Sequence, residues 1–260
     1  MSIDPDARHR EGCGAGGARD WPGAYGRIVL NEVSSTFEAA QQADETAPFW
    51  LMAQTQTQAR GRRGRAWLMP PGNFAATLTL KLDDPPDQLA LRSFVMSMAL
   101  LHTLSEVTGA PEALSLKWPN DVLLNGGKVA GILLESHGTS QLAIGVGANL
   151  AAAPPSDEVE AGATRPVSVT SEAGITPCAT DFLTVLAHHY AAEETRFQQE
   201  GFAPLRADWL AHAAKLGETI HARLPKETIT GRFDGIDQQG NLILHTATGI
   251  KLIAAADIYF

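Results

Sequence analysis

Four arginines and two glycines fall within the eight residues Arg60-Gly61-Arg62-Arg63-Gly64-Arg65-Ala66-Trp67. A segment so basic repels itself, and its glycines keep it pliable. In a chain of net charge −9 it invites an anion. Guanidinium forks match phosphate oxygens two at a time, and a glycine-containing backbone can close over a triphosphate. A solvated basic loop or an RNA-binding patch accounts for the same composition. Further along, Lys117-Trp118-Pro119-Asn120-Asp121 runs through an apolar stretch to Asn125-Gly126-Gly127 and on to Lys128-Val129-Ala130-Gly131-Ile132-Leu133-Leu134-Glu135. This stretch offers an amide and a carboxylate at Asn120 and Asp121, and an ammonium at Lys128. Gly131, bare inside an apolar run, marks a bulge or the close approach of a ligand. An ordinary hairpin with solvated ends fits those residue types as well.

These groups need elements to position them. Residues 121–124 are β-prone, Asn125-Gly126-Gly127 tolerates positive φ, and residues 128–135 resume as a strand, so a hairpin is predicted there. Residues 27–33 read as a strand running into Ser34-Ser35-Thr36, with helical spacing over 37–43. Hydroxyls at such a junction serve as an N-cap or face a ligand. Strands are predicted over 49–53 and 73–82. Leu89, Leu91, Phe94, Val95, Met98, Leu101 and Leu104 recur at helical spacing over 87–108, and Gly109 with Pro111 ends the run. Its methionines and His102 read as packing. Residues 141–149 form a strand in which Gly145 and Gly147 bare one face, for a flat ligand or for close packing. After a Pro/Ala/acid loop over 151–166, two amphipathic helices are expected over 181–199 and 202–214. Short strands over 219–224, 228–233, 242–246 and 250–253 then point to a small barrel. The expected fold is α+β: a mixed β-sheet catalytic domain flanked by helices over 25–214, with the barrel over 215–260.

Hydrophobic residues make up 44% of the 260 and charged residues 19%, core enough for one large domain and a small one. The acidic balance opposes general attraction to nucleic acid or anionic membrane. Cys13 and Cys178 are few and far apart, which implies no disulfide framework and fits a reducing compartment. No signal-peptide core follows Met1, and the longest apolar segment, 94–101, is broken by serine and too short to span a bilayer. A cytoplasmic protein is expected. Residues 1–24 lack periodicity and read as a mobile tail without the two amphipathic helices of a helix-turn-helix.

Lys-Trp-Pro-Asn-Asp followed at this spacing by Gly-Lys-Val-Ala-Gly-Ile-Leu-Leu-Glu resembles the central signature of biotin protein ligases. The Arg-rich segment resembles the family's Gly-Arg-Gly-Arg-Arg-Gly loop, with Ala59 where glycine usually stands. Residues 215–260 resemble its SH3-like C-terminal domain, including Gly235-Ile236-Asp237 before the turn. The resemblance runs from about residue 27 to 260. It implies a two-step reaction in which biotin's carboxylate attacks the α-phosphate of ATP, giving biotinyl-5′-AMP and pyrophosphate. A lysine of the biotin carboxyl carrier protein of acetyl-CoA carboxylase, or of a related carboxylase, then takes the biotin and AMP leaves.

Carried over residue by residue, the resemblance sets Ser35, Thr36 and Gln56 on the ureido ring, with Arg60 over biotin and Gly131 and Gly145 in its pocket. Arg62 and Arg65 hold phosphates, Trp67 flanks adenine, and Asn120 and Asn149 face the nucleotide. Lys128 lies between carboxylate and α-phosphate and shares the catalytic assignment with Arg62, with Asp121 as a partner behind it. Mg²⁺ is expected mainly through the ATP phosphates, so no residue is assigned as a metal ligand. Phe37 departs from the asparagine many relatives carry after the threonine. A lipoate–protein ligase, a biotin-responsive DNA-binding repressor and a non-catalytic biotin-binding protein are the rival readings. The resemblance favours a ligase, with no specific DNA or membrane partner expected and either a monomer or a homodimer.

Overall fold

The computed structural model describes residues 19–137, 141–155, 158–160 and 162–260. Residues 1–18 of the expected tail lie outside the described residues. The fold begins before residue 24, however, because Trp21 donates its indole N–H to the Tyr25 carbonyl at 2.6 Å. Arg27 covers the Trp21 ring at 5.2 Å.

In chain order the first half runs β1 (Gly26–Val33), α1 (Thr36–Gln42), β2 (Phe49–Gln56), β3 (Phe74–Lys81), α2 (Pro86–Ala90), α3 (Arg92–Thr108), β4 (Leu114–Lys117), β5 (Asp121–Leu124), β6 (Gly127–His137) and β7 (Gln141–Ala148). A short α4 (Val169–Ala173) follows, then α5 (Ala179–Glu200) and α6 (Phe202–Ala211). The helix expected over 87–108 is divided at Leu91 into α2 and α3, and α3 ends on Gly109 in the left-handed region as predicted. Seven strands form one mixed sheet in the order β1-β2-β3-β7-β6-β5-β4, with β1 and β2 parallel and every other pair antiparallel.

The period-two alternation of a strand explains what each face of the sheet carries. On β3 and β7, Phe74, Ala76, Leu78 and Leu80 alternate with Thr77 and Thr79, and Leu142, Ile144 and Val146 alternate with Gly145 and Gly147. The large side chains join the main core with α3 and α5. The small ones leave the opposite face shallow at its centre, where α1 packs over Ile28, Phe49 and Leu51 and reaches Thr77 and Gly145 through Thr36 and Phe37. A hollow over β7 and β6 is what remains.

The hairpin forms where predicted. Asn125 and Gly126 both take positive φ, 49° and 74°, as a two-residue turn between right-twisted strands requires. Gly127 is needed for another reason: a Cβ there would lie 2.2 Å from Val167, because residues 165–167 cross directly over it.

The C-terminal segment adds β8 (Thr219–Arg223), β9 (Thr228–Ile236), β10 (Leu242–Thr246), β11 (Gly249–Ile253) and β12 (Asp257–Tyr259) in an antiparallel sheet ordered β11-β10-β9-β8-β12. The first four agree with the expectation to within a few residues. Strand β12 was not foreseen, since three residues carry no readable period. This segment shares its core with the rest: Ile220, Phe233 and Leu244 belong to the same buried cluster as Phe94 and Trp118.

Cys178 stands at the N-cap of α5. Cys13, the only other cysteine of the sequence, lies outside the described residues.

Candidate active site

The hollow is a cavity of about 760 Å³ lined by α1, the Arg-rich loop, the β5–β6 hairpin, the floor strands and β12. It collects Ser35, Thr36, Gln56, Arg60, Arg62, Arg65, Trp67, Asn120, Lys128, Gly131, Gly145 and Asn149, all of the residues singled out in the sequence.

One end is polar and neutral. Ser35 caps α1, its hydroxyl accepting the Phe37 N–H at 3.2 Å. Thr36 directs both its N–H and its hydroxyl to Gln56 Oε1, at 2.8 and 3.0 Å, and accepts from the Thr77 hydroxyl at 2.9 Å. This chain fixes which way the Gln56 amide points. Its oxygen is saturated, and among the described residues its Nε2 meets only the Met69 sulfur, at 3.8 Å, leaving a donor for a ligand carbonyl. Thr77 has no motif around it, and the sequence reading missed it.

The glycine floor is covered by rings. A Cβ on Gly145 would lie 2.2 Å from the Phe37 ring, and one on Gly147 would lie 2.5 Å from Trp67. The bare face therefore serves close packing as well as ligand access, and Phe37 forms an end wall. Gly131 plays a similar part, letting Trp67 and the Lys128 ammonium approach each other.

The other end is cationic. The Arg-rich loop closes on itself through Gly61 N–H to Arg65 carbonyl at 2.7 Å and Trp67 N–H to Ala59 carbonyl at 2.9 Å. Its self-repulsion is offset by two carboxylates outside it. Asp257 on β12 meets Arg63 and Arg65, both at 2.6 Å, and Arg62 at 4.0 Å, while Glu160 meets Arg65 at 2.9 Å. Arg62 also donates to the Ala256 carbonyl at 3.2 Å. Burial lowers the Arg62 pKa, opposed by the charge of Asp257. Arg60 stands apart, 3.8 Å from Glu135. Asp257 sits in a small-residue stretch near the end of the chain and gave no signal in the sequence.

Lys128 is held from several sides. Its backbone N–H and carbonyl bond Arg165 and Val167, at 2.8 and 3.0 Å. Its ammonium lies 2.7 Å from Asp121 and 5.6 Å from the centre of the Trp67 ring. Asn120 donates its amide to the Ile132 carbonyl across the hairpin. Asn149, expected to face the nucleotide, lines the cavity. It is buried, donating to Val167 at 3.0 Å and accepting from Asn73 at 3.4 Å, so both ends of its amide hold the cavity wall together.

A neutral polar end beside a cationic end suits a ligand with a polar head and an anionic tail, activated against a polyphosphate. The chain is 48% identical over 215 residues to a biotin--[acetyl-CoA-carboxylase] ligase of Paracoccus denitrificans, covering 81% of this chain and 90% of that one. The chain belongs to the biotin protein ligase family. The model of the biotin/lipoate A/B protein ligase family matches residues 29–149, and that of the biotin protein ligase C terminal domain matches 215–260. The bifunctional ligase/repressor BirA of Bacillus subtilis (strain 168) is 33% identical, with 89% of this chain and 73% of that one covered. Among solved structures, the biotin protein ligase of Aquifex aeolicus in complex with biotin and ATP superposes with a TM-score of 0.79 at 28% identity, covering 89% of this chain and 97% of that one.

Proposed function

We propose that this biotin protein ligase joins biotin to ATP as biotinyl-5′-AMP and passes the biotin to a lysine on the biotin carboxyl carrier domain of acetyl-CoA carboxylase or a related carboxylase. The observation that carries this reading is the meeting, in one cavity, of the oriented Gln56 amide with Lys128 and the arginine loop. Adenylation brings a carboxylate against a phosphate, so fixed cations must stand where the two anions meet. In our reading Lys128 does this. Its strand is anchored on both sides and Asp121 aims its ammonium, so little reorganisation is left for the reacting complex. Arg62 and Arg65 hold the phosphates, and Arg60 lies over the biotin. Asn149 acts through the wall it braces.

Mg²⁺ fits this site as an ion carried by the nucleotide. Among the described residues no group of three or more His, Cys, Asp or Glu side chains is arranged to hold a metal. On the phosphates it supplies charge neutralisation.

We read residues 25–214 as the catalytic unit and 215–260 as a second unit packed on it. We place the protein in the cytoplasm, where ATP and apo-carboxylase are found together; no helix among the described residues is long and apolar enough to cross a membrane. The net charge of −9 opposes a specific operator complex.

Biotin-dependent ATP–pyrophosphate exchange tests the reading, with lipoate as the control acid and a carrier domain as acceptor. Exchange with biotin, and rejection of lipoate by roughly 10⁴-fold because it has no ureido group for Gln56, is the expected result. Comparable exchange with either acid overturns it.

A further inference from the structure

Lys117 is the one lysine buried among the described residues, and it lines the same cavity. It closes β4, opposite Asp121 in the strand register. Its ammonium donates to the Thr164 hydroxyl at 2.5 Å and lies 4.7 Å from the centre of the Phe260 ring. Among the described residues no carboxylate is within ion-pairing distance of it. The two nearest anions are already engaged, Asp121 by Lys128 and Asp257 by the arginines. Burial pulls the Lys117 pKa below the ordinary lysine value, against the pull of Asp121. A buried ammonium with one hydroxyl and one ring for company is costly, and such groups persist where a ligand supplies the missing charge.

We propose that Lys117 binds the β- and γ-phosphates of ATP and holds the pyrophosphate as it departs. This rests on the adenylating reading of the site and deepens it. Lys128 stands at the carboxylate and α-phosphate. Lys117 lies on the far side of Asp121, toward Thr164 and the C-terminus, where the rest of the triphosphate has room. In the step it serves, a biotin carboxylate oxygen bonds to the α-phosphorus and the bond from that phosphorus to the β-bridging oxygen breaks. The electron pair leaves with the pyrophosphate, whose added charge meets the Lys117 ammonium. The second step expels AMP and involves no pyrophosphate, so Lys117 has no part in it.

That separation supplies the test. In the full-length chain, Lys117→Met should slow biotin-dependent pyrophosphate exchange by roughly 10²-fold, as loss of a single electrostatic donor does, and should raise KM for pyrophosphate. Transfer from chemically prepared biotinyl-AMP to a carrier domain should continue. Lys117→Arg, which keeps the charge, should recover part of the exchange. Removing the unpaired buried charge should also raise the Tm of the ligand-free protein, whereas loss of a structural lysine lowers it. Wild-type protein gives an answer independent of any variant: inorganic pyrophosphate should shield Lys117 from amine acetylation, read by mass spectrometry, and biotin alone should not. Unchanged exchange in Lys117→Met, equal loss in both half-reactions, or acetylation indifferent to pyrophosphate would overturn the proposal. Absence of biotin-dependent exchange in the wild type would instead defeat the ligase reading beneath it.

Discussion

Lys128 has two charged or polarisable neighbours, the Asp121 carboxylate and the Trp67 ring, and each fixes a different coordinate of its ammonium. The ion pair sets direction and the ring sets height above the glycine floor. A cation placed this way stabilises charge that develops during reaction without first having to be gathered from solvent. Lys128→Ala should therefore slow adenylate formation by roughly 10²–10³-fold while leaving biotin affinity much less affected, measured by single-turnover kinetics and by equilibrium binding. Asp257 works in a different regime. Burial alone would raise its pKa, but the hydrogen bond from Arg65 and the charges of Arg65, Arg63 and Arg62 outweigh it and hold the carboxyl below the usual range. A depressed carboxylate favours folding above the unfolded pKa of about 3.9, and that contribution is lost as pH falls through the folded-state value. Asp257→Asn should accordingly lower Tm at neutral pH, and the difference from the wild type should close below about pH 4. A difference constant across the acid range would show that the ion pairs contribute nothing.

The Arg-rich loop is an element whose structure comes from elsewhere. Its own sequence supplies repulsion and flexibility, and its order comes from Asp257, Glu160 and the Ala256 carbonyl. Under the proposed function a triphosphate entering the cavity would compete with those carboxylates, and the loop would then cover the adenylate. Arg62 is the most enclosed of these cations, so Arg62→Gly should weaken the lid more than it weakens chemistry. Biotinyl-AMP should then escape faster and label bystander lysines, read on a blot and from the adenylate dissociation rate. A variant that holds its adenylate as tightly as the wild type would contradict this account. The loop also marks where the sequence stops being readable. Strands and helices with their own period, such as β3, α3 and the β5–β6 hairpin, were visible because local alternation dictates them. The cationic and hydroxyl residues of the site were visible because they stand in motifs. Asp257, Glu160 and Thr77 were not, since each acts on a partner distant in the chain and none is set apart by its neighbours; Lys117 stood in the hairpin motif, but its burial was not visible there. The position of Asn149 at the end of its strand was legible as well, but its hydrogen bonds to Asn73 and Val167 were not.

At the scale of the molecule, the C-terminal sheet is seated on the catalytic core by a small number of specific contacts. Gly240, in the turn after β9 with φ 79°, rests on Phe94 and Leu91 so closely that a Cβ there would lie 2.6 Å from the Phe94 ring. Its carbonyl accepts the indole N–H of Trp118 at 3.0 Å, at the entrance to the hairpin that carries Lys128. The N–H of Ala214 bonds the Leu116 carbonyl at 2.8 Å, tying the linker to β4. Ending the chain at Lys215 would expose Leu91, Phe94 and Trp118 and leave the Trp118 N–H without its partner. The shared core argues against a folded remnant. Each large apolar side chain returned to water costs about 1.5–3 kcal/mol, and a buried donor stripped of its acceptor about 1–3 kcal/mol more. Summed over these residues, the loss is comparable with the 5–15 kcal/mol total stability of an ordinary domain. The truncated chain should therefore be largely unfolded or aggregated at 37 °C, as read by circular dichroism and size exclusion. If it instead gives a cooperative transition near that of the full chain, the C-terminal sheet is an independent cap. Its effect on ligation would then have to run through Asp257 and the arginine loop alone, and truncation and Asp257→Asn would give the same kinetic defect.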